Sequence, residues 1–525
     1  MSPDFDSRVE KELRENGARS TRRTKLVCTI GPSCESKEDI LALAEGGMNV
    51  ARLNMCHGSR EWHKKIIGRI REINQERGFN IGIMVDTEGS EVHTRERDPL
   101  KVEDGAEVIF TTRDLAEQQE NVVCVSYAGF IDDVDVGDTI HVDGGMVQLE
   151  VVEKSGPDVR TRCVDPGFVL SRANLTFRRN GEIIRGTNAD LPVISPKDWR
   201  DIDFAVDEGV DLIAISFVKS ADVLKNLRSY IKSRTDSDTH LVAKIESVDS
   251  LPNLQEITAA SDVIMVARGD LGAQIPYEDV PTVQKEIIMH CREVGKPCMV
   301  ASQLLSSMIE FAIPTRAEVA DIADVVRSKA DALMVSGETA VGKYPVKVID
   351  VLRDTCADVE EWTRSEKFGN MQLGKLGSTV DARVSDELCV SAASVANEIG
   401  AAAIFCYTNR GNMAGFLSRQ RPDCPIFAFT PDHKVTKKMN LRWGVIPFRI
   451  DFDDDPESNV ERSFRLLTAR KLVSPGDLVV VLSDLQTAQS REVGGSVRSV
   501  QVRRVSTGPA GIISTKASAQ PGLIQ

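Results

Sequence analysis

Short apolar runs, most of them ending abruptly in polar or charged residues, recur along the N-terminal part of this chain. They fall at Lys25–Ile30, Met48–Leu53, Ile81–Val85, Leu212–Phe217, Leu241–Ile245, Val263–Val266, Pro297–Ala301 and Ala332–Val335. Their length and β-branched content predict strands buried on both faces. Segments with helical spacing follow most of them: Lys37–Glu45, Glu61–Glu76, Ala221–Lys232, Val280–Glu293 and Ala317–Ser328. Strand–helix alternation implies a parallel sheet, and eight such units predict a closed (β/α)8 TIM barrel of the α/β class. A barrel collects its chemistry at the C-terminal ends of its strands. There the chain keeps Arg52 and Asn54, Asp86 and Thr87, Lys244 and Glu246, Arg268 and Asp270, Ser302 and Gln303, and Glu338.

The interval between Val85 and Leu212 is longer than any barrel loop requires. Within it Val108–Thr112, Val122–Val125, Thr139–Val142, Met146–Val152 and Val159–Val164 are short strand patterns separated by Asp/Gly turns. They predict a small all-β domain inserted in the barrel and placed to act as a lid. After a Gly-rich link from Phe368, an open α/β domain is expected, with helix Glu387–Ile399, strand Ala402–Tyr407, helix Asn412–Gln420, and strands Pro425–Phe429 and Asp477–Leu482. The domain plan is a flexible segment 1–23, a barrel in 24–95 and 186–366, a lid in 96–185, a C-terminal domain in 380–505 and a disordered tail in 506–525.

Composition narrows the classes. A length of 525 residues with 41% hydrophobic content suits several domains with real cores. No run is long enough to span a bilayer, and a net charge of −14 argues against a nucleic-acid surface, so any phosphorylated ligand must meet local positive charge. The 11 cysteines lack CxxC spacing, which predicts reduced core thiols without disulfides or zinc. The polar N-terminal stretch has neither a secretory h-region nor the character of a transit peptide, leaving plastid stroma and cytoplasm both open.

The most chemical feature lies in Leu241-Val-Ala-Lys-Ile-Glu246 and Val263-Ile-Met-Val-Ala-Arg-Gly-Asp270. An ammonium and two carboxylates emerge there from neighbouring strand ends. Two carboxylates suit a divalent cation, and the lysine suits a phosphate or an enolate oxygen. The same residues also fit a structural ion pair capping the sheet.

Thr29-Ile-Gly-Pro-Ser33, Gly47-Met-Asn-Val-Ala-Arg-Leu-Asn54, Lys244-Ile-Glu246, Val266-Ala-Arg-Gly-Asp-Leu-Gly272, Pro314-Thr-Arg-Ala-Glu318 and Ser336-Gly-Glu-Thr-Ala340 resemble the pyruvate kinase family, from about Thr24 to Val505. Asp86-Thr-Glu-Gly-Ser-Glu91 and Asn54-Met-Cys-His57 are most similar to the family's plant plastid alpha-type subunits. The resemblance implies phosphoryl transfer from phosphoenolpyruvate to ADP in glycolysis, with Mg2+ and K+ as cofactors. It assigns Glu246 and Asp270 to Mg2+, Lys244 to the transferring phosphoryl group and the enolate, and Arg52 to the substrate phosphate. It further assigns the amides of Gly269 and Asp270 to the substrate carboxylate, and Ser302, where the family has threonine, to the proton relay. Asn54, His57, His93 and Arg172 correspond to nucleotide-binding positions. Asn54, Cys56, Asp86 and Thr87 correspond to potassium ligands, and Glu91 to the acidic residue of potassium-dependent members. The implied assembly is a homo- or hetero-oligomer based on a tetramer, with helix Arg316–Ser328 and the C-terminal domain as interfaces.

Departures from the family pattern concentrate on one side of the site. Cys56 replaces a serine, Glu88 a lysine, Ser90 a proline and His93 an arginine, and Leu170-Ser-Arg-Ala-Asn174 lacks the lid lysine, with Arg172 adjacent. Loss of a charge-assisted phosphate contact costs about 1.5–3 kcal/mol. In the C-terminal domain, Tyr407–Ala414 lacks a hydroxyl-rich turn and Leu482–Val497 does not resemble the effector loop, so fructose-1,6-bisphosphate activation is not expected. Three readings follow: an active pyruvate kinase, a low-activity regulatory subunit of a hetero-oligomeric enzyme, and a different Mg2+-enolate barrel enzyme.

Overall fold

In a computed structural model, eight parallel strands close into a barrel: β1 Lys25–Thr29, β2 Val50–Asn54, β3 Gly82–Asp86, β4 Leu212–Ile215, β5 His240–Ile245, β6 Val263–Ala267, β7 Cys298–Ala301 and β8 Ala332–Val335. Each strand pairs with the next, and β8 returns to β1 through Lys25↔Ala332 and Cys28↔Val335. The structure describes residues 3–90, 92–113, 115, 117–127, 129–184, 192–236, 238–365, 373–374, 376, 379–485 and 497–506.

Alternation along these strands sorts the side chains into two layers. Val27, Val50, Met84, Leu212, Ala214, Val242, Val263, Met265, Met299 and Met334 fill the barrel interior. Leu26, Ala51, Leu53, Ile83, Ile213, Leu241 and Ile264 face the surrounding helices. The two sets differ by one residue along the chain, as strand geometry requires. Local signals set the helix ends. Ser36 and Ser59 cap helices Lys37–Glu45 and Arg60–Arg77, while Ser195 with Asp198 and Thr315 with Glu318 form capping boxes.

The lid inserted between β3 and β4 is a seven-stranded sheet, ordered Glu182–Ile183, Leu175–Arg179, Thr139–Val142, Val147–Ser155, Asp158–Asp165, Glu107–Thr111 and Val122–Cys124. Val108, Phe110, Phe130, Leu149 and Phe177 form its core. Its two hinge segments run side by side, with His93 paired to Asn174.

The C-terminal domain is a five-stranded sheet in the order Val445–Arg449, Ile426–Thr430, Ala403–Tyr407, Leu478–Leu485 and Val497–Arg504. The first four strands are parallel and the last is antiparallel. Two of these strands and the helix Pro456–Ala469 were not among the predicted elements. The first helix of the domain begins at Val380, seven residues before the predicted start at Glu387. All 11 cysteines are free, and all but Cys56 and Cys124 are buried. No helix among the described residues is long and apolar enough to cross a membrane. The tail 507–525, Glu91 and most of the Gly-rich link lie outside the described residues.

The N-terminal segment departs from the expected flexibility. Helix Pro3–Glu15 reaches helix Pro456–Ala469 of the C-terminal domain, and Arg22 beyond it donates to the Gly47 carbonyl at 2.8 Å and to Asn49 Oδ1 at 2.9 Å, just before β2. Buried Glu12 pairs with buried Arg462 at 3.2 Å, and Asn16 exchanges two 2.8 Å hydrogen bonds with the backbone of Arg449. The Gly17 N–H donates to the Gly78 carbonyl at 2.7 Å, an approach that leaves no room for a side chain: a Cβ on Gly17 would lie 2.0 Å from the Arg77 carbonyl oxygen. Glu360 receives the N–H groups of Arg23 and Thr24 at 2.9 and 2.7 Å.

Burial raises the Glu12 carboxyl to about 7 although Arg462 beside it pulls the other way. The group holds a proton in the folded state that the unfolded chain loses at the ordinary carboxylate value. Its stabilising contribution is therefore complete below that value and is lost as pH rises through about 7. Amide exchange in helix Pro3–Glu15, corrected for intrinsic rates, is expected to quicken between about pH 6 and pH 8. A flat profile would remove Glu12 as the cause.

Candidate active site

The barrel's inward register does not stop at its apolar layers. Two residues beyond Val27, Val50, Met84, Ala214 and Val242 stand Thr29, Arg52, Asp86, Ser216 and Lys244, and two beyond Lys244 stands Glu246. The side chains that close the top of the barrel interior are thus polar, and they meet one another.

Asp86 is fully buried and serves both cations. It accepts from Arg52 Nε at 2.7 Å and lies 3.2 Å from Lys244 Nζ. Arg52 also donates to Thr29 Oγ1 at 3.1 Å, which ties it to β1. Burial opposes the charge on Asp86, yet Lys244 and Arg52 hold its carboxyl below the usual range. Lys244 Nζ further contacts Glu246 Oε1 at 2.7 Å and donates to Ser216 Oγ at 2.8 Å. The Ser216 hydroxyl donates in turn to the Thr87 carbonyl at 2.8 Å, and the Ser216 N–H donates to Thr87 Oγ1 at 3.2 Å. Burial disfavours the Lys244 ammonium, but Asp86 and Glu246 outweigh it and keep the group charged. Ser216 was not singled out from the sequence, although it sits one inward step past Ala214.

Glu246 accepts the Phe217 N–H at 2.8 Å, and its carboxyl meets that of Asp270 at the start of helix Arg268–Gln274. Burial raises Glu246 to about 7 against the pull of Lys244, with Asp270 adding to the rise. Burial raises Asp270 as well. Two carboxylates pressed together in this way hold a proton between them or accept a cation. Their donor chemistry fits Mg2+, a hard ion that takes one or two protein carboxylates and completes its shell with water and substrate oxygens. Among the described residues no group of three or more His, Cys, Asp or Glu offers a self-sufficient metal cage.

Ser302 lies against Gly269: its hydroxyl oxygen is 3.6 Å from where a Gly269 Cβ would stand. Ser302 and Gln303 both adopt positive φ, 75° and 54°, an unfavourable backbone that needs outside support. Arg268 supplies it, donating to the Ser302 carbonyl from Nε at 3.2 Å and NH2 at 2.8 Å while anchored to Asp321 at 2.7 Å. Glu338 stands apart from the cluster and receives the N–H groups of Ser336 and Leu305 at 2.7 and 3.2 Å. It supports the loops.

The remaining predicted residues gather at the lid side of the mouth. Asn54, opposite Asp86 in the β2–β3 register, accepts the Cys56 N–H at 3.2 Å. Burial pushes the Cys56 thiol up to about 12, so it stays neutral. With a neutral thiol, and with Asp86 already shared by Arg52 and Lys244, the set Asn54, Cys56, Asp86 and Thr87 fits K+ poorly. His57 is exposed. His93 donates from Nδ1 to the Thr94 carbonyl at 2.8 Å, and burial together with Arg172 lowers its basicity, so it is neutral at physiological pH. The Arg172 guanidinium pairs with the Glu88 carboxylate, which also contacts Lys197 Nζ at 3.0 Å. Neither the Glu88–Arg172 pair nor the part of Lys197 was legible in the sequence.

Fold and cluster together define a barrel enzyme that handles an anionic substrate by electrostatics. Residues 21–349 match the family described as pyruvate kinase, barrel domain, and residues 386–493 match pyruvate kinase, alpha/beta domain. The chain is 56% identical over 499 residues to pyruvate kinase isozyme A, chloroplastic, of Ricinus communis, covering 94% of this chain and 86% of that protein. It is 54% identical over 499 residues to the isozyme of the same name in Nicotiana tabacum, covering 94% and 84%, and 36% identical over 464 residues to pyruvate kinase of Bacillus licheniformis, covering 88% and 77%. This chain belongs to the pyruvate kinase family.

Proposed function

We propose that the chain transfers the phosphoryl group of phosphoenolpyruvate to ADP through the cluster at the barrel mouth, and that it does so in the plastid stroma. The observation that carries this reading is the convergence of Arg52, Asp86, Ser216, Lys244 and Glu246 on the inward register above the barrel interior. Glu246 and Asp270 would hold Mg2+, which supplies charge neutralisation at phosphoryl and enolate oxygens. Lys244, held charged and in place by Asp86, Glu246 and Ser216, faces the charge that develops as the phosphoryl group leaves. Arg52, fixed by Asp86 and Thr29, grips the substrate phosphate. The amides at Gly269 and Asp270 take the substrate carboxylate, and the Ser302 hydroxyl beside them passes a proton to the enolate carbon. Asn54, His57, His93 and Arg172 receive the nucleotide. The word chloroplastic in the names of the two plant relatives supports the plastid placement.

A second reading, a low-activity regulatory subunit in a tetramer-based hetero-oligomer, is favoured by the neutral Cys56 thiol and by the Glu88 carboxylate on Arg172. The test follows ATP formation when the purified chain meets phosphoenolpyruvate, ADP and Mg2+. ATP that appears only with all three present supports transfer. Consumption of phosphoenolpyruvate without nucleotide points to a different enolate enzyme. Replacing Cys56 with serine restores a hard oxygen, and its expected result is a lower K+ concentration for half-maximal rate. An unchanged potassium response in that variant would remove Cys56 from the cation site.

A further inference from the structure

Glu88 occupies the short connection between β3 and the lid, and two cations from different elements converge on it. Lys197 reaches it at 3.0 Å from the barrel helix Pro196–Asp207. Arg172 reaches it from the returning hinge of the lid, where a left-handed backbone, φ 57°, precedes the His93↔Asn174 bridge. The carboxylate is rigidly presented. The N–H groups of Glu88 and Gly89 donate to buried Asp198 at 3.0 and 3.2 Å. Gly89 turns the chain at φ 81° so close to Ser216 that a Cβ there would lie 2.6 Å from the serine Cβ. His57 and His93 both lie within electrostatic reach of Arg172 and Glu88. One carboxylate thus sits among the groups that the proposed function assigns to nucleotide phosphates.

We propose that Glu88 is a built-in anion that occupies Arg172 and thereby sets nucleotide affinity, so that the diphosphate of ADP binds by displacing the Glu88 carboxylate from the guanidinium. The exchange is physically open in both directions. The pair is partly exposed, with side-chain exposures of 32% for Arg172 and 16% for Glu88, so it is the kind of contact a stronger anion replaces. A diphosphate carries more charge and meets the guanidinium in bidentate fashion. The displaced carboxylate is not orphaned, because Lys197 stays beside it, itself steadied by the Met55 carbonyl at 2.7 Å and Asp201 at 2.9 Å. Because Arg172 lies on the lid hinge, the same exchange links nucleotide arrival to the position of the lid.

The inference rests on the assignment of Arg172 to the nucleotide, and the experiment separates the two. Calorimetric titration of the full chain with ADP and Mg2+ is made on the native protein, Glu88→Gln, Glu88→Ala, Arg172→Gln and the double variant Glu88→Gln/Arg172→Gln, each checked for folding by circular dichroism. Glu88→Gln and Glu88→Ala are expected to tighten ADP binding by about 3- to 5-fold, the range a partly exposed ion pair supports. Phosphoenolpyruvate binding should not move, and Glu88→Gln should bring no gain once Arg172 is gone. ADP affinity that is unchanged or weaker in both Glu88 variants, while Arg172→Gln weakens it, overturns the inference alone and makes Glu88 a lid anchor. Unchanged ADP affinity in Arg172→Gln overturns the assignment of Arg172, and the inference with it.

Discussion

Replacing Lys244 with methionine is expected to lower the rate of pyruvate formation by at least ~10³-fold, because a preorganised cation facing transferring charge is worth that much. The loss should fall on kcat. Arg52, still held by Asp86 and Thr29, should stay in place for the substrate phosphate that the proposed function assigns to it. The variant should fold. Asp86 retains Arg52, and Glu246, whose carboxyl burial already raises to about 7, takes up a proton once its ammonium is gone. Breaking a buried pair still costs about 3 kcal/mol, visible as a lower denaturant midpoint. Steady-state kinetics beside urea unfolding separates the two effects. A variant that keeps more than a tenth of native kcat would remove Lys244 from the chemistry.

Asp270→Asn is expected to move activity and stability in opposite directions. Without a cation, burial, joined by the like charge of Asp86, penalises the Asp270 carboxylate more than Lys244 favours it, so a neutral amide should stabilise the metal-free protein. The same change removes one of the two carboxylates proposed to hold Mg2+, and its effect on affinity should exceed the ~10- to 100-fold that follows loss of a group that only steadies a metal ligand. Mg2+ should therefore raise the melting temperature of the native chain but not that of the variant, since a ligand stabilises only the form it binds. Equal Mg2+ stabilisation of both proteins would place the cation elsewhere.

The legibility of the site follows from its physics. Arg52, Asp86, Lys244 and Glu246 end strands buried on both faces, so charge stands out sharply against apolar runs, and the period of two carries them inward. Ser216 lies inside such a run and is concealed by it. The Glu88–Arg172 pair joins positions on opposite hinges of the lid, and no local pattern brings them together. The two unpredicted strands of the C-terminal domain are both edges. Val445–Arg449 carries Pro447, which only an edge strand tolerates, and Val497–Arg504 carries Arg498, Arg503 and Arg504, the charge that protects an exposed edge. Among the described side chains of the N-terminal helix the apolar stripe is just Val9 and Leu13, and the helix is also held by Glu12 meeting Arg462 across nearly the whole chain.

The cluster around Lys244 is proposed to make this chain a catalyst by itself. The most direct test measures pyruvate formed per chain by the protein purified without any partner, supplied with phosphoenolpyruvate, ADP, Mg2+ and K+, beside the Lys244→Met control. The account predicts sustained turnover that the control abolishes. A folded chain that binds Mg2+ and phosphoenolpyruvate yet forms no pyruvate until a second subunit is added would contradict it.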